Sequence, residues 1–230
     1  MLQLSVVIPV FNESANIQPL IEEIECALSK RLPFEIIVVD DGSTDGTSEE
    51  LVRLTRVHER LRVQSHENNR GQSAAIRTGV KAANAPVVAV LDGDGQNDPA
   101  DIPALYAALT IASKVSMVVG ERRKRRDSWI RRVSSRIANG VRSGMLGDGV
   151  RDTGCGLKVF YRDEFLELPA FDHMHRFLPA LVQRHGASIQ ALPVNHRQRR
   201  YGKSKYGVSN RLWVGIVDLL GVMWLKRRRI

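Results

Sequence analysis

Residues 87–96 read Val-Val-Ala-Val-Leu-Asp-Gly-Asp-Gly-Gln, an apolar run that ends abruptly in two carboxylates, Asp92 and Asp94. A short, wholly apolar run bounded by turn residues is the pattern of a strand buried on both faces of a parallel sheet. The C-terminal end of such a strand is where open α/β sheets place ligands. Alternate residues of an extended segment point the same way, so Asp92 and Asp94 can converge on one cation. Gly93 and Gly95 free the backbone to turn and let a ligand approach. Gln96 adds a neutral oxygen, and oxygen-only ligation favours Mg²⁺ or Mn²⁺ over zinc. Taken alone, Asp-x-Asp is a weak motif, and a polar turn after a strand accounts for it as well.

The preceding and following residues repeat the same design. Strand-like runs lie at Leu4–Val10, Phe34–Val39, Leu61–His66, Val87–Leu91 and Val115–Val119. Helix-like runs lie between them at Ile17–Lys30, Thr47–Glu59, Ser73–Ala83 and Pro99–Ala112. Strands separated by helices predict an α/β fold with a doubly wound, mostly parallel sheet flanked by helices. Ser14 or Asn16 suits the cap of the first helix, and Pro99 the first turn of the fourth.

The texture changes after residue 120. Arg122–Arg126 is a basic run, followed by an expected basic helix from Ser128 to about Met145. A strand is expected at Gly154–Phe160, a helix at Phe177–His185, a strand at Ile189–Val194 and a basic loop at His196–Gly207. Arg211–Leu225 is apolar with one carboxylate, Asp218, and ends in Lys226-Arg227-Arg228-Arg229. The expected organisation is one catalytic domain over 1–207 and an amphipathic, juxtamembrane helix over 208–230. Its apolar part, Leu212–Leu225, is too short to span a bilayer. With Trp213, Trp224 and flanking cations it reads as an interfacial helix, or one docking on a membrane subunit. The plain alternative is a helix packed on the domain.

The bulk numbers set limits. The chain has 230 residues, 43% of them hydrophobic and 26% charged, which suits a globular domain with a real core. Its net charge of +9 points to a polyanionic partner. Cys26 and Cys155 are the only cysteines, which makes neither a disulfide framework nor a zinc site. No signal peptide is expected, because the first residues run directly into a strand. A nucleic-acid binder is the reading from charge alone. The basic runs lack interleaved aromatics, and that reading leaves the acidic strand ends unexplained.

Those acidic ends recur. Ile8-Pro9-Val10-Phe11-Asn12-Glu13 closes the first strand, and Val38-Val39-Asp40-Asp41-Gly42-Ser43-Thr44-Asp45-Gly46-Thr47 closes the second. Packing alone would not gather carboxylates on one edge, because they repel one another. A cation, or the N–H and hydroxyl donors of a nucleoside, would offset that repulsion, with Glu13 and Asp41 as acceptors. Asp45 and Ser43 are expected to be turn and cap residues; Asp41 is not. Asn68-Asn69-Arg70-Gly71-Gln72-Ser73-Ala74-Ala75 opens a helix without G-x-G-x-x-G spacing, and no G-x-x-x-x-G-K-[ST] occurs. Arg70 beside that helix N-terminus is placed to face an anion.

The ordered set resembles glycosyltransferase family 2, and more closely its dolichol-phosphate mannosyltransferase and polyprenyl-phosphate glycosyltransferase branch. The motifs are Val7–Glu13, Asp40–Thr47, Asn69-Arg70-Gly71 and Asp92–Gln96. Further on come Gly120-Glu121-Arg122, Arg131 with Ser135-Arg136, Gly156–Phe160, and Arg199 through Lys205. The resemblance implies a GT-A fold and inverting, metal-dependent transfer of a hexose from GDP-mannose or a UDP-sugar to a polyprenyl phosphate. It implies a cytoplasmic enzyme, peripheral on the inner membrane face. It gives Pro9, Phe11, Glu13, Val39, Asp41, Asp92 and Gly93 to the nucleotide-sugar, and Asp92, Asp94 and Gln96 to Mg²⁺ or Mn²⁺. Arg122, Arg131 and Ser135 would meet the acceptor phosphate, and Arg199 and Lys205 would close on the donor phosphates.

The chemistry agrees, since transfer from a nucleotide diphosphate needs leaving-group charge stabilised by metal, Arg and Lys. A phosphate acceptor is already anionic and requires no general base. The rival, transfer to a sugar hydroxyl, needs a base, for which Asp152 is the candidate. Two departures stand out. Phe11 replaces the Tyr frequent in the branch, and Asp-Gly-Asp-Gly-Gln replaces Asp-Ala-Asp-Leu-Gln, which loosens the backbone. The Gln-x-x-Arg-Trp of processive synthases is missing; Gln198-Arg199-Arg200-Tyr201 is not that motif.

Overall fold

All seven residues of Leu4–Val10 are buried, and Ser5 is the only polar one. Such a run needs cover on both faces, and the computed structural model of the chain provides it. The structure describes residues 1–122, 144–147, 149, 150, 152–199, 201 and 209–228. The expected basic helix with Arg131 and Ser135, apart from its end at Gly144 and Met145, lies outside the described residues. So do Lys205 and the expected boundary at 207/208.

The elements run β1 (Leu4–Val10), α1 (Ser14–Leu28), β2 (Phe34–Asp40), α2 (Thr47–Thr55), β3 (Leu61–Ser65), α3 (Gln72–Ala82) and β4 (Val87–Val90). They continue as α4 (Ile102–Ile111), β5 (Val115–Arg122), β6 (Lys158–Tyr161), α5 (Arg162–Glu167), α6 (Leu178–Arg184), β7 (Ser188–Val194) and α7 (Ser209–Arg227). The sheet order is β3-β2-β1-β4-β6-β5-β7. β6 alone is antiparallel, to both β4 and β5. The other ladders are parallel, as expected.

Two features of this topology make the site. From β1 the chain moves outward one way to β2 and β3, then returns to place β4 on the other side of β1. The crevice at such a reversal lies between the ends of β1 and β4, at Pro9–Val10 and Asp92. Pro9 is tolerated inside β1 because the β4 ladder stops at Val7, so its missing N–H is not needed there. β6 runs against its neighbours, so residues 152–157 arrive at the edge where β4 and β5 end. Lys158 sits opposite both Val90 and Val119.

The core forms two layers. Val6, Ile8, Ile36 and Val38 pack against Ile17, Ile21 and Ile24 of α1 and Leu51 of α2. Val7, Ile37 and Val39 face Ala75 and Ile76 of α3 on the other side. Alternate residues of each strand thus serve opposite layers.

The structure differs from local expectation at five points. Residues 154–157 are loop rather than strand, because Gly156 must lie against Asp92, as described below. β5 extends three residues past Val119, since Gly120, Glu121 and Arg122 pair with β7. α5, which the apolar periodicity of so short a segment did not mark, stacks Phe165 on Phe160 with ring centroids 4.8 Å apart. Neither Ser14 nor Asn16 caps α1: Glu13 holds the cap position without a side-chain cap, and Asn16 donates to the Glu13 carboxylate at 2.6 Å. Pro99 opens a 3₁₀ turn just before α4, capped by Asp98.

α7 lies on the second core layer through Leu219, Val222 and Met223. Ile216, Val217, Leu220 and Trp224 face outward, and Lys226–Arg228 follow. Among the described residues no helix is long and apolar enough to cross a membrane.

Candidate active site

The loops after β1 and β2 are laced together. The Asn12 amide donates to Ser43 Oγ at 2.8 Å, Asn12 Oδ1 accepts from the Thr44 amide at 2.6 Å, and the Glu13 amide donates to Thr47 Oγ1 at 3.0 Å. Asn12 has a positive φ of 55°, a conformation that Asn tolerates better than most residues. Asp40 accepts from the Ser43 amide at 3.0 Å and Asp45 from the Thr47 amide at 3.2 Å, so both are turn residues.

Asp41, expected to escape such a role, also holds a turn. It is buried, and it accepts from the Arg70 amide at 2.9 Å, the Gly71 amide at 2.8 Å and His66 Nδ1 at 2.6 Å. His66 Nε2 in turn meets Thr78 Oγ1 at 2.9 Å. A carboxylate has about four acceptor positions, so one remains for a ligand. The amides before α3, expected to face an external anion, are thus met by this internal one. Pro9 and Val39 are register partners, and the Val39 side chain is 0% exposed in the core. Phe11 is partly exposed at the rim.

The Asp92 loop is built against β1. A Cβ on Gly93 would lie 2.6 Å from Val10 Cγ1 and 3.2 Å from the Pro9 carbonyl oxygen, so only glycine permits this approach. The loop closes on itself where the Asp92 amide donates to Asn97 Oδ1 at 3.2 Å and the Gln96 amide to Asp94 Oδ1 at 3.1 Å. Asp92 Oδ1 accepts from Gln72 Nε2 of α3 at 2.7 Å. From the β6 side Gly156 presses on the same carboxylate: a Cβ there would come within 2.2 Å of Asp92 Oδ2.

Burial, and then the neighbouring Asp94, push the Asp92 carboxyl up to about 6, against the pull of Lys158, Gln72 and Arg122. Lys158 is 5% exposed, donates from Nζ to the Cys155 carbonyl, and has its own pKa lowered by burial. Arg122 grips the buried Asp152 with two parallel bonds of 2.7 Å, from Nε and Nη2. Arg199 Nη2 donates to Glu13 Oε1.

The structure therefore gathers Glu13, Asp41, Asp92, Asp94, Gln96, Arg122 and Arg199 on one sheet edge. Among the described residues no group of three or more His, Cys, Asp or Glu side chains could hold a metal by itself. Asp92 and Asp94 form a mutually repelling oxygen pair of the kind that Mg²⁺ and Mn²⁺ accept when substrate oxygens and water complete the shell. The donor set fits such an ion.

Sequence reasoning gave no role to Gln72, Asn97, Lys158 or His66. Lys158 had a visible signal, a cation inside the apolar run Leu157–Phe160, since a buried charge requires partners.

Over 98% of its length the chain is 37% identical to the dodecaprenyl-phosphate galacturonate synthase of Rhizobium johnstonii, covering 68% of that protein. It is 36% identical, over 89% of its length, to the undecaprenyl-phosphate 4-deoxy-4-formamido-L-arabinose transferase of Aeromonas hydrophila, covering 63% of that protein. The chain thus spans about two thirds of the length of these relatives. Glucosyl-3-phosphoglycerate synthase from Mycobacterium tuberculosis, solved with Mn²⁺, UDP-glucose and glycerol 3-phosphate, superposes with a TM-score of 0.75. That likeness, at 20% identity over 97% of this chain and 79% of the other, makes the fold GT-A. Residues 5–168 match the model described as Glycosyl transferase family 2, and with these relatives that match settles the family: the chain belongs to glycosyl transferase family 2.

Proposed function

We propose that this chain transfers a sugar, with inversion, from a nucleotide diphosphate donor to a polyprenyl phosphate at a membrane surface. The observation that carries the reading is the Asp92–Asp94 pair at the β1/β4 crevice, in which burial and the neighbouring Asp94 push the Asp92 carboxyl up to about 6 against the pull of Lys158 and Arg122. Both relatives are named for transfer to polyprenyl phosphates.

Asp92 and Asp94, with Gln96, would hold Mg²⁺ or Mn²⁺. Bound there, the ion supplies charge stabilisation for the departing diphosphate. Pro9, Phe11, Glu13, Val39, Asp41 and Gly93 would line the base and ribose; the buried Val39 side chain leaves it only a supporting part. Arg199 and Lys205 would add cationic charge to the donor phosphates. Arg122, Arg131 and Ser135 are assigned to the acceptor phosphate. Arg122, already paired with Asp152, contributes charge from a fixed position.

That pairing also bears on the rival hydroxyl acceptor. Asp152, the candidate base, accepts both bonds of an Arg fork, so both of its carboxylate oxygens are already engaged. The outward apolar face of α7 with its terminal cations supports a place on an anionic membrane surface, as expected for the segment 208–230.

The test is a thermal-shift panel of UDP- and GDP-sugars with Mn²⁺ or Mg²⁺, followed by transfer to undecaprenyl phosphate. Metal-dependent stabilisation by one donor is expected, and stabilisation by none overturns the reading. Asp152→Asn separates the acceptors. Loss of binding to the phosphate alone favours the lipid phosphate. A loss of kcat with donor and acceptor binding intact favours a hydroxyl.

A further inference from the structure

The basic segment after β7 is joined to the Asp92–Gln96 loop through Arg197. Its amide donates to the Gln96 carbonyl at 2.9 Å, and Gln96 Nε2 donates back to the Arg197 carbonyl at 3.3 Å. Beside them Asn97 and His196 form an antiparallel bridge. The Arg197 guanidinium then spans two helical elements. Nη1 donates to Glu23 Oε2 of α1 at 2.5 Å, and Nη2 lies 2.6 Å from Asp98 Oδ1. Asp98 also accepts from the Ala100 amide at 3.0 Å, which starts the turn into α4. A planar fork can meet two carboxylates at once, which a lysine cannot do with the same geometry.

The loop has a firm half and a loose half. Asp92 and Gly93 are fixed by Gln72, Asn97, Gly156 and Val10. Gly95 has φ +72°, and among the described residues no atom lies within 4 Å of where its Cβ would be. The contacts made by Arg197 come immediately after that glycine.

We propose that Arg197 is a positioning residue for the divalent cation: it clamps the outer half of the acidic loop to α1 and to the start of α4, and so fixes Asp94 and Gln96 relative to Asp92. This rests on the proposed metal-dependent transfer. Arg197 itself touches neither cation nor donor in this role. The clamp supplies from another segment the rigidity that Gly95 withholds.

The test compares Arg197→Ala and Arg197→Lys by two measurements. In ligand-free protein, amides of residues 92–98 should exchange about tenfold faster in R197A, with β1 and β2 unchanged. Mn²⁺, titrated by its paramagnetic signal in the presence of UDP or GDP, should bind about tenfold more weakly, the usual cost of losing an outer-sphere partner. Excess Mn²⁺ should recover most of kcat, and R197K should fall between. Unchanged loop exchange with unchanged Mn²⁺ affinity overturns the proposal, and so does acceleration spread evenly over the sheet. Should R197A fail to fold, Glu23→Gln removes one arm of the clamp, and a loop no faster in exchange overturns it equally. If neither nucleotide with Mn²⁺ stabilises the wild-type protein, the proposed function falls, while the exchange measurement still decides the clamp.

Discussion

Glu35 and Asp92 lie at opposite ends of the same sheet, and their surroundings are opposite too. Glu35 opens β2, is 4% exposed, and accepts from Ser5 Oγ at 2.7 Å, the Asn84 amide at 2.7 Å and Arg62 Nη1 at 2.7 Å. Burial pushes its carboxyl up, but those bonds outweigh burial and leave it below its ordinary value of 4.5. Asp92 follows β4 with one side-chain donor, Gln72, and a second carboxylate nearby, and it is left at about 6. One end of the sheet satisfies its acid from within the protein. The other leaves Asp92 short of donors, the condition under which a carboxylate accepts a cation. Burial of acid is common to both ends; the balance of donors differs between them.

The sharpest way to break this comparison is to neutralise each acid in turn. Asp92→Asn should lower transfer by about a thousandfold or more, as loss of a metal ligand and its electrostatic stabilisation would. The metal-free protein should melt no lower, because a repulsive pair has been relieved. A Tm drop of several degrees would show that Asp92 is a structural acid like Glu35. Gly156→Ala should come next. Its Cβ would collide with the buried Asp92 carboxyl, 2.4 Å from Cγ as well as 2.2 Å from Oδ2, so some stability should be lost along with the carboxyl's position. Transfer should fall about a hundredfold, the scale of an ångström-sized misplacement. Equal losses in Tm and activity would mean that Gly156 serves packing alone.

The acidic end of the sheet was legible in the sequence, and the Glu35 end was not. The apolar runs from Leu4 to Leu91, three of them closed by acids and all separated by helical periods, carried the parallel sheet and the edge proposed for the ligand. The antiparallel entry of β6 was not legible, because apolar alternation sets a strand's faces and not its direction. That direction is what brings Asp152, Gly156 and Lys158 under Asp92. The pairing of Arg122 with Asp152 across 30 residues, and of Arg197 with Glu23 across 174, likewise depends on tertiary contact that no local spacing encodes. Asp41 shows the same limit: its type and position were readable, but the Arg70–Gly71 turn that it holds was not.

Glu35→Gln is the next smaller perturbation. It removes a charge from three good bonds, and the loss should be about 2 kcal/mol of stability, or roughly 5 °C in Tm for a chain of this size. Transfer measured well below Tm should not change, because Glu35 lies at the far end of the sheet. A changed KM for metal would undo the division between the two ends.

The smallest effect is in the pH dependence of the metal-free protein, where the two acids should act with opposite sign. Asp92 binds its proton more tightly folded, at about 6, than unfolded, at 3.8. Its ionisation therefore opposes folding, and stability should rise as pH falls from 7 towards 4. Glu35 binds its proton less tightly folded than its ordinary 4.5. The stability it contributes is present above that value and lost as pH falls through the lower folded one. Denaturation midpoints from pH 7 down to pH 3 should thus rise and then fall. Asp92→Asn should erase the rise and Glu35→Gln should soften the fall. Mn²⁺ with nucleotide should also erase the rise, because a bound cation keeps Asp92 ionised. A rise that survives Asp92→Asn would assign the unbalanced charge to another carboxylate of the same edge, with Asp94 the first to test.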